Sequence, residues 1–312
     1  MMHIDDFSTV ELNHMLNLAA NLKHVYKHDT TPGPKPKPLD SKSIASIFQK
    51  RSTRTRVSTE TGAFLLGGHS LFLGPTDIQL GVNESMRDTA NVLSNFNSVI
   101  LARVFGHESV LELGKHSKVP VINALSDMHH PLQTLADLLT LEEHFGSREA
   151  LRGKSVAWVG DGNNVLHDLM LGAAKLGMNV RIATPKGYEP NEEIIGWTNR
   201  IASEEGTEPV FLTNDASVAV AGSSVISTDT WISMGEEDIY DQKIKEFDGY
   251  QVNDDLMGKA ADDVVFLHCL PRHEEEVSDS VFYGDKSLVF PEAENRMWTV
   301  MAVMLSQLGG KV

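Results

Sequence analysis

Two kinds of hydrophobic pattern alternate along the chain. Short, nearly continuous apolar runs suit buried strands at Ser43–Phe48, Ser70–Leu73, Ser98–Ala102 and Val119–Asn123. Five more follow at Ser155–Val159, Asn179–Ala183, Pro209–Leu212, Ser224–Ser227 and Val264–His268. Between them lie segments with apolar residues at helical spacing. The first opens with a capping box, Ser8 to Glu11, and continues through Leu12, Met15, Leu16, Ala19 and Leu22. Others are predicted over Val57–Leu66, Ser85–Phe96, Glu108–His116, Glu192–Glu205 and Ala216–Ala221, and from a glycine turn after Val159 to Leu176. Pro131 sits where a first helical turn favours proline, and Leu132, Leu135, Leu138, Leu139 and Leu141 recur behind it to Phe145. A last helix is predicted over Glu292–Leu308. Strands alternating with helices imply α/β architecture, with doubly wound parallel sheets covered on both faces.

The chain has 312 residues, which suits two domains. The pattern places one over 1–130 and a second over 146–290, joined by a helix over 131–145, with the last helix (292–308) packing back on the first. Gly146 to Lys154 marks the boundary. Thr30 to Pro38 carries four prolines and reads as an extended connector, and Gly74 to Glu84 as a long exposed loop.

Charge changes the picture. The net charge of −16 argues against a general nucleic-acid or anionic-membrane surface, so any bound phosphate must be small and held locally. Yet Phe48 to Arg56 reads F-Q-K-R-S-T-R-T-R, with Lys50, Arg51, Arg54 and Arg56 among Ser52, Thr53 and Thr55. It lies where a strand ends and a helix begins. Unpaired N–H groups, hydroxyls and a guanidinium fork at such a place make a phosphate site. One cysteine, Cys269, excludes an intrachain disulfide and suits a reducing compartment. No apolar stretch reaches membrane-span length, and the acidic start (Asp5-Asp6) suits neither a signal nor a transit peptide.

Other motifs carry less. Gly160-Asp161-Gly162 follows a strand, but Val165 stands at the third glycine position and Thr184-Pro185-Lys186 offers no acid for a ribose. Gly153-Lys154-Ser155 lacks the earlier glycine of a P-loop. His129-His130 and His268-Cys269 have no zinc-site spacing. Neither a cofactor nor a metal is expected.

The polar residues that remain collect at predicted strand ends, where open α/β sheets bind ligands. They are Ser52 to Thr55, Arg103, His130, Asn163-Asn164, Asp229 and His268-Cys269. In order, F-Q-K-R-S-T-R-T-R, H-P-L-Q (130–133), D-G-N-N (161–164), D-T-W-I-S-M-G (229–235) and H-C-L-P-R (268–272) resemble the aspartate/ornithine carbamoyltransferase family over nearly the whole chain. The last two of these motifs point to its ornithine branch.

That resemblance implies roles. Ser52, Thr53, Arg54 and Thr55 would hold the phosphate of carbamoyl phosphate, with Arg103 bridging phosphate and carbonyl. His130 and Gln133 would bind the carbamoyl group, and Gln79 and Arg296 would add contacts on that side. Asn164, Asp229, Ser233 and Met234 would bind the amino-acid end of ornithine. Cys269 and Leu270 would line the reacting amine, beside the carbamoyl group, with Leu270-Pro271 cis. Arg54, Thr55, Arg103, His130 and Cys269 form the implied catalytic set, in a cleft between the domains. His167 and Asp168 depart from the small residues of many relatives and are expected on the helix surface or in local hydrogen bonds. A homotrimer is implied, in the mitochondrial matrix with the presequence outside this chain, or in the cytoplasm. The alternatives are a carbamoyltransferase for another amine, such as putrescine, and a non-catalytic carbamoyl-phosphate-binding homologue.

Overall fold

The computed structural model describes residues 1–76, 78, 84–232 and 237–309. The chain divides into two compact units, residues 1–139 together with the chain from Glu294 onward, and residues 140–293.

The first unit opens with α1 (Thr9–Lys23), capped by Ser8, whose side chain accepts from Glu11 N while Glu11 reaches back. Then come β1 (Ser43–Phe48), α2 (Thr53–Leu65), β2 (His69–Leu73), α3 (Met86–Phe96), β3 (Val99–Arg103), α4 (His107–His116) and β4 (Val121–Leu125). All four strands are parallel, in the order β2-β1-β3-β4. The chain leaves β1 to one side for β2 and to the other for β3, so the gap beyond their ends is a topological switch point, where such sheets bind ligands. Strands β3 and β4 are buried along their whole lengths. Ala45, Ile47, Ile100 and Ala102 pack with Val104, Val110 and Leu113. Strands buried on both faces read as continuous apolar runs, which is why they stand out in the sequence.

Helix α5 (Pro131–Phe145) leads to the second unit, which contains β5 (Ser155–Val159), α6 (Asn164–Lys175), β6 (Asn179–Ala183), α7 (Glu192–Glu205), β7 (Phe211–Thr213), α8 (Ala216–Val220) and β8 (Val225–Thr228). Three short helices, α9 (Tyr240–Glu246), α10 (Asp254–Met257) and α11 (Asp279–Phe282), lie around β9 (Val265–His268). The sheet is parallel throughout, ordered β7-β6-β5-β8-β9, with its switch point between β5 and β8. Val159, Ile226, Trp231, Phe247, Phe266 and Phe282 belong to its core. Helix α12 (Val289–Gln307) closes the described chain.

Some boundaries differ from the sequence reading, for local reasons. Helix α2 starts at Thr53, four residues early, because Ser52 caps it. Strand β4 starts two residues late and β7 also starts two residues late, each past a proline that cannot donate to a ladder. Helices α9 to α11 were not anticipated, being too short for a helical period to show.

Candidate active site

In the first unit, Ser52 is the N-cap of α2, and its Oγ accepts from Thr55 N at 3.2 Å. Phe48 and Arg103 are paired in register at the ends of β1 and β3. Gln49 fastens these ends together: its N–H donates to Arg103 O at 2.8 Å and its side-chain oxygen accepts from Phe105 N at 2.8 Å. The basic run is sorted by this geometry. Lys50 lies over the Phe105 ring, and Arg56 lies over the Phe72 ring at 3.7 Å while pairing with Glu60 at 3.0 Å. Arg54 is half-buried and close enough to His130 to act on its charge.

A buried relay supports the other side. Arg296 Nη2 donates to Thr55 Oγ1 at 3.1 Å, and its Nη1 donates to Gln133 Oε1 at 2.6 Å. Gln133 Nε2 donates in turn to Asp137 at 2.8 Å. Asp137 therefore fixes the Gln133 amide with its oxygen toward the guanidinium. Thr55, Arg103, His130, Gln133, Asp137 and Arg296 are all buried. Burial, and then the charges of Arg296, Arg103 and Arg54, hold the His130 imidazole well below the ordinary histidine range. It is neutral at physiological pH. Among three guanidiniums, a neutral imidazole and a helix N-terminus, this place suits a small oxyanion carrying a carbonyl.

In the second unit, Asn163 caps α6 by accepting from Val165 N and Leu166 N, and Asn164 is the first helical residue. Asn163 Nδ2 donates to Asp229 Oδ2 at 3.1 Å, so the ends of β5 and β8 are joined across the switch point. Cys269 Sγ donates to Asp229 Oδ1 at 2.9 Å. The glycines of the Gly160-Asp161-Gly162 turn have a structural cause. Gly160 has φ +142°, and a Cβ on Gly162 would meet the backbone N of Pro190 at 2.4 Å. The Leu270-Pro271 bond is cis, and Leu270 N donates to His268 Nδ1 at 2.9 Å. His268 Nε2 faces Glu276 Oε1 at 3.3 Å, both side chains buried, and burial pushes the Glu276 carboxyl up to about 7.

Each unit thus gathers its own share of the expected residues. Gln79, Ser233 and Met234 lie outside the described residues. The expectation of a helix-surface position for His167 and Asp168 is corrected. Both are buried, and His167 Nε2 accepts from Asn191 N at 3.1 Å, because α6 is covered along its length. Asp137, Lys243 and Glu276 were missed, since single charged residues in helices and loops carry no motif of their own. Among the described residues, no group of three or more His, Cys, Asp or Glu could hold a metal, and no helix is long and apolar enough to cross a membrane.

Two family models cover the chain. Residues 1–143 match the carbamoyl-P binding domain of aspartate/ornithine carbamoyltransferase, and residues 152–307 match its Asp/Orn binding domain. The chain belongs to the aspartate/ornithine carbamoyltransferase family. Within this carbamoyltransferase family it is similar to the mitochondrial ornithine transcarbamylase of Gallus gallus, 51% identical over 99% of this chain and 85% of that protein. It is 48% identical to the mitochondrial ornithine carbamoyltransferase of Schizosaccharomyces pombe, over 97% of this chain and 92% of that one. Among solved carbamoyltransferases, that of Pyrococcus furiosus superposes with a TM-score of 0.93 at 43% identity, covering 100% of this chain and 97% of the other.

Proposed function

We propose that this chain transfers the carbamoyl group of carbamoyl phosphate to the side-chain amine of L-ornithine, giving L-citrulline and phosphate. The observation that carries the reading is the neutral His130, buried among the charges of Arg54, Arg103 and Arg296 at the end of the first sheet. The sequence relatives named for ornithine support the choice of acceptor.

In this reading the phosphate rests on the α2 N-terminus, Ser52, Thr53, Arg54 and Thr55. The carbonyl oxygen receives hydrogen bonds from Thr55, Arg103 and His130, whose donors are set before charge develops. Gln133, Gln79 and Arg296 complete the carbamoyl-phosphate side. Asp229, Asn164, Ser233 and Met234 take the α-amino and α-carboxylate end of ornithine, and Cys269 and Leu270 line its δ-amine. The lone pair of the neutral amine attacks the carbamoyl carbon, and the carbon–oxygen bond to phosphate breaks. Phosphate departs with its charge already matched by Arg54 and the helix end, and the surplus proton of the new amide leaves with it or to solvent. Cys269 contacts substrate and forms no covalent bond. Much of the rate comes from holding two substrates together. A homotrimer working in arginine biosynthesis or a urea cycle fits this reading. So does the mitochondrial matrix, the compartment in the names of the eukaryotic relatives.

The test is citrulline formation from carbamoyl phosphate with ornithine, putrescine, acetylornithine, lysine and aspartate. Product with ornithine alone is expected. Product with another amine overturns the acceptor half of the reading, and no product with any acceptor overturns the transfer itself.

A further inference from the structure

Lys243, on α9, is 2% exposed although it carries a charge. Lysine is almost never buried this far unless paired. Its Nζ donates to Asp161 Oδ2 at 2.7 Å and to Trp231 O at 3.0 Å. It also lies over the rings of Tyr188 at 5.4 Å and Phe247 at 6.0 Å. Tyr188 is itself tied to α9, through its hydroxyl donating to Glu246.

The two oxygens have matching places. Asp161 stands two residues before Asn163, and Trp231 stands two residues after Asp229. Asn163 and Asp229 are the pair bonded across the switch point. One ammonium therefore closes a ring: Lys243 to Asp161, along the chain to Asn163, across to Asp229, along to Trp231 and back.

We propose that Lys243 is a positioning residue for the acceptor side, holding the Asn163–Asp229 pair in the geometry that receives ornithine. The proposal rests on the ornithine reading above. Lys243 touches neither substrate; it acts through Asp161 and Trp231. An apolar side chain could fill its volume, but it could not donate to a carboxylate and a carbonyl from separate stretches as this ammonium does. Buried ion pairs add little net stability over well-packed apolar replacements, so orientation is the function left to explain.

The test uses the full chain and three variants: Lys243→Met, Lys243→Arg, and Lys243→Met with Asp161→Asn, which removes the carboxylate charge that Lys243 faced. Steady-state kinetics are read for both substrates, with melting temperature and hydrogen exchange over residues 159–165 and 229–232 of the unliganded chain. Lys243→Met should raise KM for ornithine about tenfold or more while KM for carbamoyl phosphate stays within about twofold. Lys243→Arg should recover most of the ornithine affinity. The double variant should regain melting temperature without regaining ornithine KM. Exchange over both peptides should rise in Lys243→Met.

An unchanged ornithine KM overturns the proposal, as does a double variant that recovers stability and ornithine KM together. Should Lys243→Met fail to fold, the double variant and Lys243→Arg give the same reading. Wild-type chain that makes no citrulline from ornithine overturns the functional reading separately. In that event unchanged exchange at 229–232 still overturns the positioning role of Lys243.

Discussion

Arg296 donates to the side-chain oxygen of Thr55 at 3.1 Å, so the Thr55 hydroxyl proton is available to a different acceptor. The guanidinium thereby turns a threonine into an oriented donor at the start of α2. Arg296 is held in turn by Gln133, and Gln133 by Asp137. Replacing Asp137 by Asn lets the Gln133 amide turn and weakens the relay. Asp137→Asn should raise KM for carbamoyl phosphate about tenfold and leave KM for ornithine nearly unchanged. Initial rates against each substrate in turn check this.

The cations of the basic run should separate in their effects. On the proposed reading Arg54 clamps the phosphate, so Arg54→Gly should abolish turnover. Arg56 is spent on the Phe72 ring and Glu60, at an exposed site. Arg56→Ala should keep turnover within about twofold and cost about 1 kcal/mol of stability or less. Assays of the two variants side by side, with denaturant melts, test the distinction.

His130 binds its proton less well in the folded chain than in the unfolded one. Below the ordinary value of 6.5 the unfolded chain takes up a proton that the native chain refuses. Stability is therefore lost as pH falls below 6.5, by about 1.4 kcal/mol per pH unit at most from this group, until the lower native value is reached. His130→Gln should flatten that part of the stability curve, measured by urea melts from pH 5 to 7.5.

Glu276 has the opposite sign. Its carboxyl is raised from 4.5 to about 7 by burial, so between those values the native chain keeps a proton that the unfolded chain has lost. Stability falls as pH rises through this window, by about 3 kcal/mol at most. Glu276→Gln keeps an oxygen for His268 Nε2 and for His273 N, both of which face Glu276 Oε1. It should be nearly neutral at pH 5 and more stable than the parent at pH 8, which melts at the two pH values decide.

Turnover should rise from neutral to alkaline pH, because the ornithine amine must lose its proton before it attacks. With His130 already neutral, the acidic limb belongs to the substrate rather than to this imidazole. A substrate analogue whose amine has a lower pKa should move the limb down with it. A limb that stays put would remove the deprotonation step from the reaction.

Much of this was legible in the chain alone, for reasons that differ by element. Strands such as Val99–Arg103 are buried on both faces, so their apolar runs are unbroken. The Ser52-Thr53-Arg54-Thr55 run showed itself because the helix-capping residue and the cation are neighbours in sequence. Asp137 and Lys243 did not show themselves. Their meaning lies in bonds to Gln133, Asp161 and Trp231, and for Lys243 those partners are 82 and 12 residues away. His167 misled because a polar residue in a helix ordinarily faces water, whereas α6 is buried on every side. The G-x-G turn already lacks a nucleotide fingerprint in sequence, and the close Pro190 backbone accounts for Gly162.

The first unit, which holds the proposed carbamoyl-phosphate side, is assembled from two distant stretches, residues 1–139 and the chain from Glu294 onward, whereas the second unit is one continuous piece. During synthesis the ribosome therefore delivers the second unit whole before it delivers Arg296. A nascent chain halted near residue 290 carries Thr55, Gln133 and Asp137 without the guanidinium that links them. The anion site is complete only once Arg296 has followed, so a chain cut short near residue 290 should retain the acceptor half's fold and hold carbamoyl phosphate more weakly than the full chain.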